Sequence, residues 1–437
     1  MASITPKLDV SQFRAMGSAK SRLVSVQAEN AQTVTGNSGQ QDLYFAIPSS
    51  SMSMLNSQLT ALTFDLVCSS ACSFSNGGAN SIIQGVEVVI GNQSIELLDR
   101  ANIFSALMED HQNKGRAQNI GSILSGHAEY VKDVIGGSAA ASIDPVKTGK
   151  DLTTKIRISI PLYSSTLGLL ASNYLPLVDG IRLRLTLASN DIALQYSTGT
   201  PAYTMTRISL NMDYLDINPA VYSQLLAESN GVFKFHSTGV ANFNSTLQPA
   251  GNHTVLIPAR YSSIKNYFVV FRRNDSNGNN GSGRANKNTT GGRYYPNLQN
   301  YVFRIEGRNY PAIPITVSDG TTSYSGEAFQ EGVKCFHASH SPDFDVVYNN
   351  SQYLRGDGVS ASTQDSEDGA FYLGLDFEES GGGQIRGLIS GQNTIDSNTF
   401  LELKMDANNI SMDCDTFAVH DLVVELDMLS GSITVSK

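Results

Sequence analysis

Apolar and polar residues alternate strictly through Ile181-Arg182-Leu183-Arg184-Leu185-Thr186-Leu187. Four aliphatic side chains fall on one face; two arginines and a threonine fall on the other. A β-strand has a side-chain period of two, so this is the pattern of a strand with one buried and one wet face. Leu422, Val424, Leu426 and Met428 share one face in the same way, with Glu425 and Asp427 on the other. Burying each such side chain contributes about 1.5–3 kcal/mol, and a one-residue slip would expose the whole set, so register is well determined. Shorter strand-like runs lie at residues 62–66, 86–90, 156–160 and 208–212, and again at 267–271, 301–305, 371–375 and 400–405.

These runs come twice in the same order. Ile47-Pro48-Ser49 leads to Leu62-Thr63-Phe64-Asp65-Leu66, and Ile257-Pro258-Ala259 leads to Tyr267-Phe268-Val269-Val270-Phe271. A second strand follows in each half, turning at Gly91-Asn92 or at Gly307-Arg308-Asn309. Next comes a segment with apolar residues at helical spacing: Ile103, Phe104, Leu107 and Met108 within 100–111, and Ala328, Phe329, Val333 and Phe336 within 326–337. Asp99 is the expected N-cap of the first. After a long loop, 156–160, 181–187 and 208–212 answer to 371–375, 400–405 and 422–428. Ile257 follows Ile47 by 210 residues and Phe329 follows Phe104 by 225. That period is the size of a domain, far above the roughly 20–50 residues of solenoid and propeller repeats.

The expected organisation is a basic arm at 1–22, a first module at 23–218, a linker helix at 219–231 and a second module at 232–437. Asn218 followed by Pro219 is the start signal for the linker helix. A chain of 437 residues exceeds one ordinary core, which agrees with two modules. Many short alternating segments between Gly, Ser, Asn and Thr point to an all-β chain of sandwiches or barrels. Residues 274–293 carry almost nothing to bury and are expected to be an exposed loop tip, as are 349–369 and 131–152.

Net charge is −10, which argues against a bulk surface that coats nucleic acid. Residues 1–22 differ: Lys7, Arg14, Lys20 and Arg22 outweigh Asp9. Such an arm suits an anionic surface, lipid or nucleic acid, and a plain solvated tail explains it as well. Cys68, Cys72, Cys335 and Cys414 form no disulfide framework and fit a reducing compartment. With no apolar signal region in 1–22 and no run near ~18 apolar residues, the expectation is a soluble chain that is not secreted. The Asn-x-Ser/Thr sequons, as at Asn244 and Asn252, are what an Asn-, Ser- and Thr-rich chain produces by chance.

No nucleotide-binding, nucleophile-elbow or zincin motif is present. Cys335-Phe336-His337-Ala338-Ser339-His340 gathers a thiol and two imidazoles, yet helix-end residues that pack or face solvent explain it as well. Asp275-x-Asn277-x-Asn279 opens like a calcium loop but has Asn280 and Asn286 where Gly and Glu belong. Asp413-Cys414-Asp415 could ligate a cation at a subunit contact. Cys68-x3-Cys72 lacks a second pair of ligands, and His127-x-Glu129 lacks the cysteines of a deaminase. Glu378-Glu379 and Asp65 with Asp99 show no partner for acid–base work. The reading is therefore not an enzyme, with no catalytic, cofactor or metal residue assigned: two similar β modules without a catalytic signature suggest a building block.

Two such modules, a short basic arm and long loops resemble the double jelly-roll major capsid proteins. That lineage includes the adenovirus hexon and the capsid proteins of lipid-containing tailless phages, virophages and large DNA viruses. The stretches that carry the resemblance run from Ile158-Ser159-Ile160-Pro161-Leu162 through Asn173-Tyr174-Leu175-Pro176-Leu177 into 181–187, with 44–65 and the helix after Glu96-Leu97-Leu98-Asp99. The second half departs from it, having Phe377 and Gly381-Gly382-Gly383 in place of the Pro-Leu segment. The resemblance implies two tandem eight-stranded jelly-roll β-sandwiches with short inserted helices and long loops. It implies a structural subunit of the virion, assembled inside the host cell as a homotrimer of pseudo-hexagonal outline that tiles an icosahedral shell. Its partners would be itself, neighbouring trimers, minor capsid and vertex proteins, and a membrane or genome met through residues 1–22, with no small-molecule substrate. The competing expectations are a carbohydrate-binding or adhesin-like protein with two β-sandwich modules, which Tyr294-Tyr295 and the Asn/Gly loops would suit, and a hydrolase on a β scaffold.

Overall fold

A computed structural model describes residues 20–36, 41–50, 52–70, 72–74, 78–111, 124, 152–171, 174–196, 201–248, 251–273, 293–318, 325–336, 346, 353–354, 370–377, 391–406, 411–428 and 432–437. The first half builds β1 (Lys20–Gln27), β2 (Thr33–Thr35), β3 (Gln41–Ala46), β4 (Ser53–Cys68), β5 (Ser73–Phe74), β6 (Ile83–Ile90), β7 (Gln93–Asp99), β8 (Ile156–Pro161), β9 (Tyr174–Pro176), β10 (Ile181–Leu187), β11 (Leu194–Gln195) and β12 (Tyr203–Asp216). The second builds β13 (Val232–Leu247), β14 (Gly251–Ile257), β15 (Ile264–Arg273), β16 (Leu298–Ile305), β17 (Arg308–Thr316), β18 (Leu373–Asp376), β19 (Thr399–Met405), β20 (Met412–Asp427) and β21 (Ile433–Ser436). Three helices of ten residues join them: α1 (Ala101–Asp110), α2 (Pro219–Glu228) and α3 (Ser325–Lys334).

Pairing is antiparallel throughout, and both halves use one plan. In the first, β1-β12-β4-β8 forms one sheet, with β2 beside β12 and β9 beside β4; β3-β10-β6-β7 forms the other. In the second, the sheets are β13-β20-β15-β18, with β21 beside β20, and β14-β19-β16-β17. If β1 with β2 and β8 with β9 count as one interrupted strand each, and the two-residue pair β5–β11 and the C-terminal β21 are set aside, each half has eight strands. In both, the order is first, eighth, third, sixth in one sheet and second, seventh, fourth, fifth in the other. This is the jelly roll, twice.

Side-chain periodicity decides which face turns inward. Ile181, Leu183, Leu185 and Leu187 of β10 are all buried, and Arg184 on its outer face bridges Asp42 of β3 and Glu87 of β6 at 2.9 and 3.2 Å. Leu422, Val424 and Leu426 of β20 are buried likewise. The sheets of the second roll meet where Tyr267 of β15 stacks on Phe303 of β16, ring centroids 5.6 Å apart, and pairs its hydroxyl with Thr399 of β19 at 3.1 Å.

Three details differ from the sequence reading. Lys20, Ser21 and Arg22 are not arm but the start of β1, opposite Asp216, Leu215 and Tyr214 of β12. Arg22 is held there by Asp216 at 2.8 Å and by the Tyr214 ring. Asp99 is not a cap: it is still in the ladder opposite Gly85, and the chain enters α1 through Arg100 in a left-handed conformation, φ 57°. The last strand of the first roll extends well beyond 208–212 at both ends, because Tyr203, Met205 and Tyr214 continue its inward face.

Replacing Leu183 by Ala should lower unfolding free energy by about 2–5 kcal/mol, whereas Arg182→Ala next to it should stay within about 0.5 kcal/mol. Denaturant titration checks this; equal losses at the two positions would contradict the assigned faces.

Candidate assembly interface at the roll junction

Helix α1 leaves the edge strand β7 of the first roll and lies against the outer face of the second. Most helices bury one stripe. In α1, Ala101, Asn102, Ile103, Phe104, Ser105, Ala106, Leu107 and Asp110 are all buried. Phe104 explains the need: its ring centre is 6.4 Å from Tyr163 in the first roll, and 6.4 and 5.4 Å from Phe268 (β15) and Phe417 (β20) in the second. Such aromatic pairs contribute about 0.5–1.5 kcal/mol each beyond the area they bury.

Ion pairs of opposite sense pin the two ends of this helix. Arg100, just before it, reaches the fully buried Asp415 of β20 at 2.9 Å. Arg272 of β15 and Asn244 of β13 complete the shell of that carboxylate, at 2.8 and 3.0 Å. At the far end Asp110 pairs with Arg293, itself buried, from the second roll. A buried charge that loses its partner is strongly destabilising, so the rolls resist separation and α1 has one direction in which it can lie.

Two more groups extend the junction. Glu96 of β7 is buried; it accepts hydrogen bonds from the Ser164 hydroxyl and the Ser165 and Thr166 amides at 2.7, 2.7 and 3.1 Å. Burial pushes its carboxyl up, against these bonds. The loop it shapes presents the Ser165 and Leu170 carbonyls to the Ser237 hydroxyl of β13, the latter at 3.1 Å. His111 follows α1 and stacks on Phe336 at 4.0 Å, with the edge of Tyr372 at 4.8 Å. Burial pushes its pKa down to about 4, the bond to the Leu107 carbonyl opposing only weakly.

Asp415 is occupied by arginines, which leaves no cation site at Asp413-Cys414-Asp415; Cys414 is buried and its thiol pushed far up by desolvation. Cys335 is likewise buried and raised, while His337 and His340 lie outside the described residues. So do Asp275, Asn277, Asn279, Asn280, Asn286, His127, Glu129, Glu378 and Glu379. Cys68 and Cys72 are buried and form no disulfide. Among the described residues no group of three or more His, Cys, Asp or Glu could hold a metal ion, and no helix is long and apolar enough to cross a membrane. Asp65 sits on the outer face of the first roll among Lys155, Arg157 and Arg207. Desolvation raises its pKa, but the hydrogen bonds from Arg157, Arg207 and Lys155 outweigh it and hold the group at about 2. Asp99 is exposed on β7.

No protein-family model and no curated protein matches the sequence. Solved structures do. The capsid of PBCV-1 virus matches with a TM-score of 0.60 at 12% identity, covering 96% of this chain and 98% of that one. The Sputnik virophage structure matches at 0.56 and 12%, covering 95% and 88%. The mavirus major capsid protein matches at 0.53 and 9%, covering 95% and 90%. The fold is the double jelly roll of these capsid proteins. Within this double jelly roll, Arg100 and Asp110 lie far in sequence from their partners Asp415 and Arg293, and no motif in the sequence marks either pair.

His111 is expected to give the junction an acid sensitivity. Its folded pKa of about 4 lies below its ordinary 6.5. Below 6.5 the unfolded chain binds a proton that the folded chain does not, so this contribution is complete above pH 6.5 and is lost as pH falls toward 4. His111→Phe, which keeps the stack on Phe336, should gain stability relative to the parent across that window. Denaturation at pH 7 and pH 4.5 measures it; a difference independent of pH would contradict the assignment.

Proposed function

We propose that this chain is a viral major capsid protein, a structural subunit and not an enzyme. The observation that carries the reading is the double jelly roll itself, matched along nearly the whole of this chain and of known capsid chains. The physics of the junction supports it. The contact between the rolls joins unlike surfaces, the β7–α1 edge of one to the outer face of the next. A contact of this heterologous kind closes a ring when its rotation allows.

On this reading three chains supply six rolls, and the resulting pseudo-hexagonal trimer tiles an icosahedral shell with its neighbours and with minor capsid and vertex proteins. Obligate interfaces between chains commonly bury over ~2,000 Å². The protein would reside in the virion after assembly in the host cell. Residues 1–19, basic on balance and preceding β1, would face inward toward a membrane or the genome. The other reading, a carbohydrate-binding or adhesin-like pair of sandwiches, has no support among the structures compared above.

Light scattering after size exclusion tests this. The full chain and a chain lacking residues 1–19 should both run at three times the chain mass, and only the full chain should go on to form shells. A monomer would contradict the capsid reading; shells from the truncated chain would contradict the role given to the arm.

A further inference from the structure

The repeat makes a comparison available between surfaces that are used inside the chain and surfaces that are not. Inside the chain, edge strand β7 lies against β13, and α1 covers the outer face of β20 and β15. The corresponding edge of the second roll is β17 with α3, and the corresponding face of the first roll is β1, β12 and β4. Within the chain α3 packs on β17 and β18 of its own roll. Among the described large apolar side chains the two most exposed are Ile313, 79%, on β17 and Leu23, 73%, on β1, one on each unused edge. Exposed edge strands with apolar side chains are templates for pairing.

Charge selects the same two surfaces. With the inward residues Leu62, Phe64 and Leu66 aligned on Tyr267, Val269 and Phe271, Asp65 takes the place of Val270. Val270 is opposite Asp415 on β20; Asp65 is opposite Thr206 on β12, beside Arg207. So where the second roll offers a carboxylate to Arg100, the first roll offers cations. Arg157 and Arg207 keep 48% and 73% of their side-chain surface exposed while bonded to Asp65, and Lys155 adds a third positive charge. On the partner surface, the helix that answers to α1 carries exposed Glu327 in its first turn, two residues beyond the position that answers to Arg100.

We propose that the second roll of one copy packs through β17 and the start of α3 onto the β1–β12–β4 face of the first roll of the next copy, with Glu327 meeting Arg157 and Arg207. The contact inside the chain is thus repeated between chains with the charges exchanged. The proposal rests on the trimer reading above and specifies its interface. The two outer faces also differ in kind: Phe268 and Phe417, covered in every chain by α1, correspond to Thr63 and Ser209, small polar residues already buried in a single chain, so on the first roll the exposed groups are Arg157 and Arg207.

The test uses the full chain. Glu327→Arg places like charges together and should raise the trimer dissociation constant roughly tenfold or more in sedimentation or light scattering. A second variant is independent of stability: Glu327→Cys combined with Arg207→Cys, which leaves Arg157 and Lys155 on Asp65. Mild oxidation of it should give a reducible bond between copies on a denaturing gel, against a low background because the native cysteines are buried. Dissociation of the Glu327→Arg trimer together with this cross-link supports the interface. An intact Glu327→Arg trimer and no cross-link within a stable trimer would overturn the interface and leave the trimer standing. A wild-type chain that is monomeric at every concentration would overturn the trimer reading, and the interface with it.

Discussion

A ten-residue helix buried on every side can persist only if two folded bodies hold it, and α1 is such a helix. Phe104 needs Phe268 and Phe417, Asp415 needs Arg100, and Asp110 and Arg293 need each other. Withdrawing α1 would uncover an aromatic cluster and leave charges unpaired in places that water reaches poorly. The two rolls are therefore one block, and the block, rather than either sandwich, is what this chain has to offer to other copies.

The rolls share a topology but not a surface. Their inner faces follow the same alternation, because each must bury an apolar set between two sheets. Their outer faces have separated. The second roll carries Phe268, Phe417 and Asp415 under α1, a contact made once, when the chain folds. The first carries the small, buried Thr63 and Ser209 and, around Asp65, the exposed cations Arg157 and Arg207. On the proposed capsid reading, the pseudo-hexagonal unit would need two modules that are alike in shape and different in what they recognise, and duplicated sandwiches with diverged outer faces would supply both.

Much of this was legible in the chain. Strict alternation in 181–187 and from Val424 to Met428 marked the strands with one wet face, and the order of elements revealed the repeat although identity between the halves is weak. What was missed had physical causes. The first strand of each roll, β1 and β13, was not read: β13 has polar residues on both faces, since Ser237 serves the junction. In β17 Ile313 is exposed and Ile315 buried, and the run is interrupted by Pro311 and Pro314, which an edge strand tolerates and a central one does not. Asp413-Cys414-Asp415 looked like a cation site because sequence does not show that Arg100 and Arg272 come from elsewhere to meet it. Asp110 fell in the expected helix 100–111 and Arg293 at the end of the expected loop 274–293, and pairing them requires the tertiary fold.

The claim on which the account turns is that unlike edges of this block join head to tail into a closed ring. Averaged electron-microscope images of the purified oligomer test it most directly. The expected particle is threefold and hexagonal in outline, with six upright lobes, first and second rolls alternating around the ring. Isolated two-lobed particles, or pairs related by a twofold axis, would contradict it.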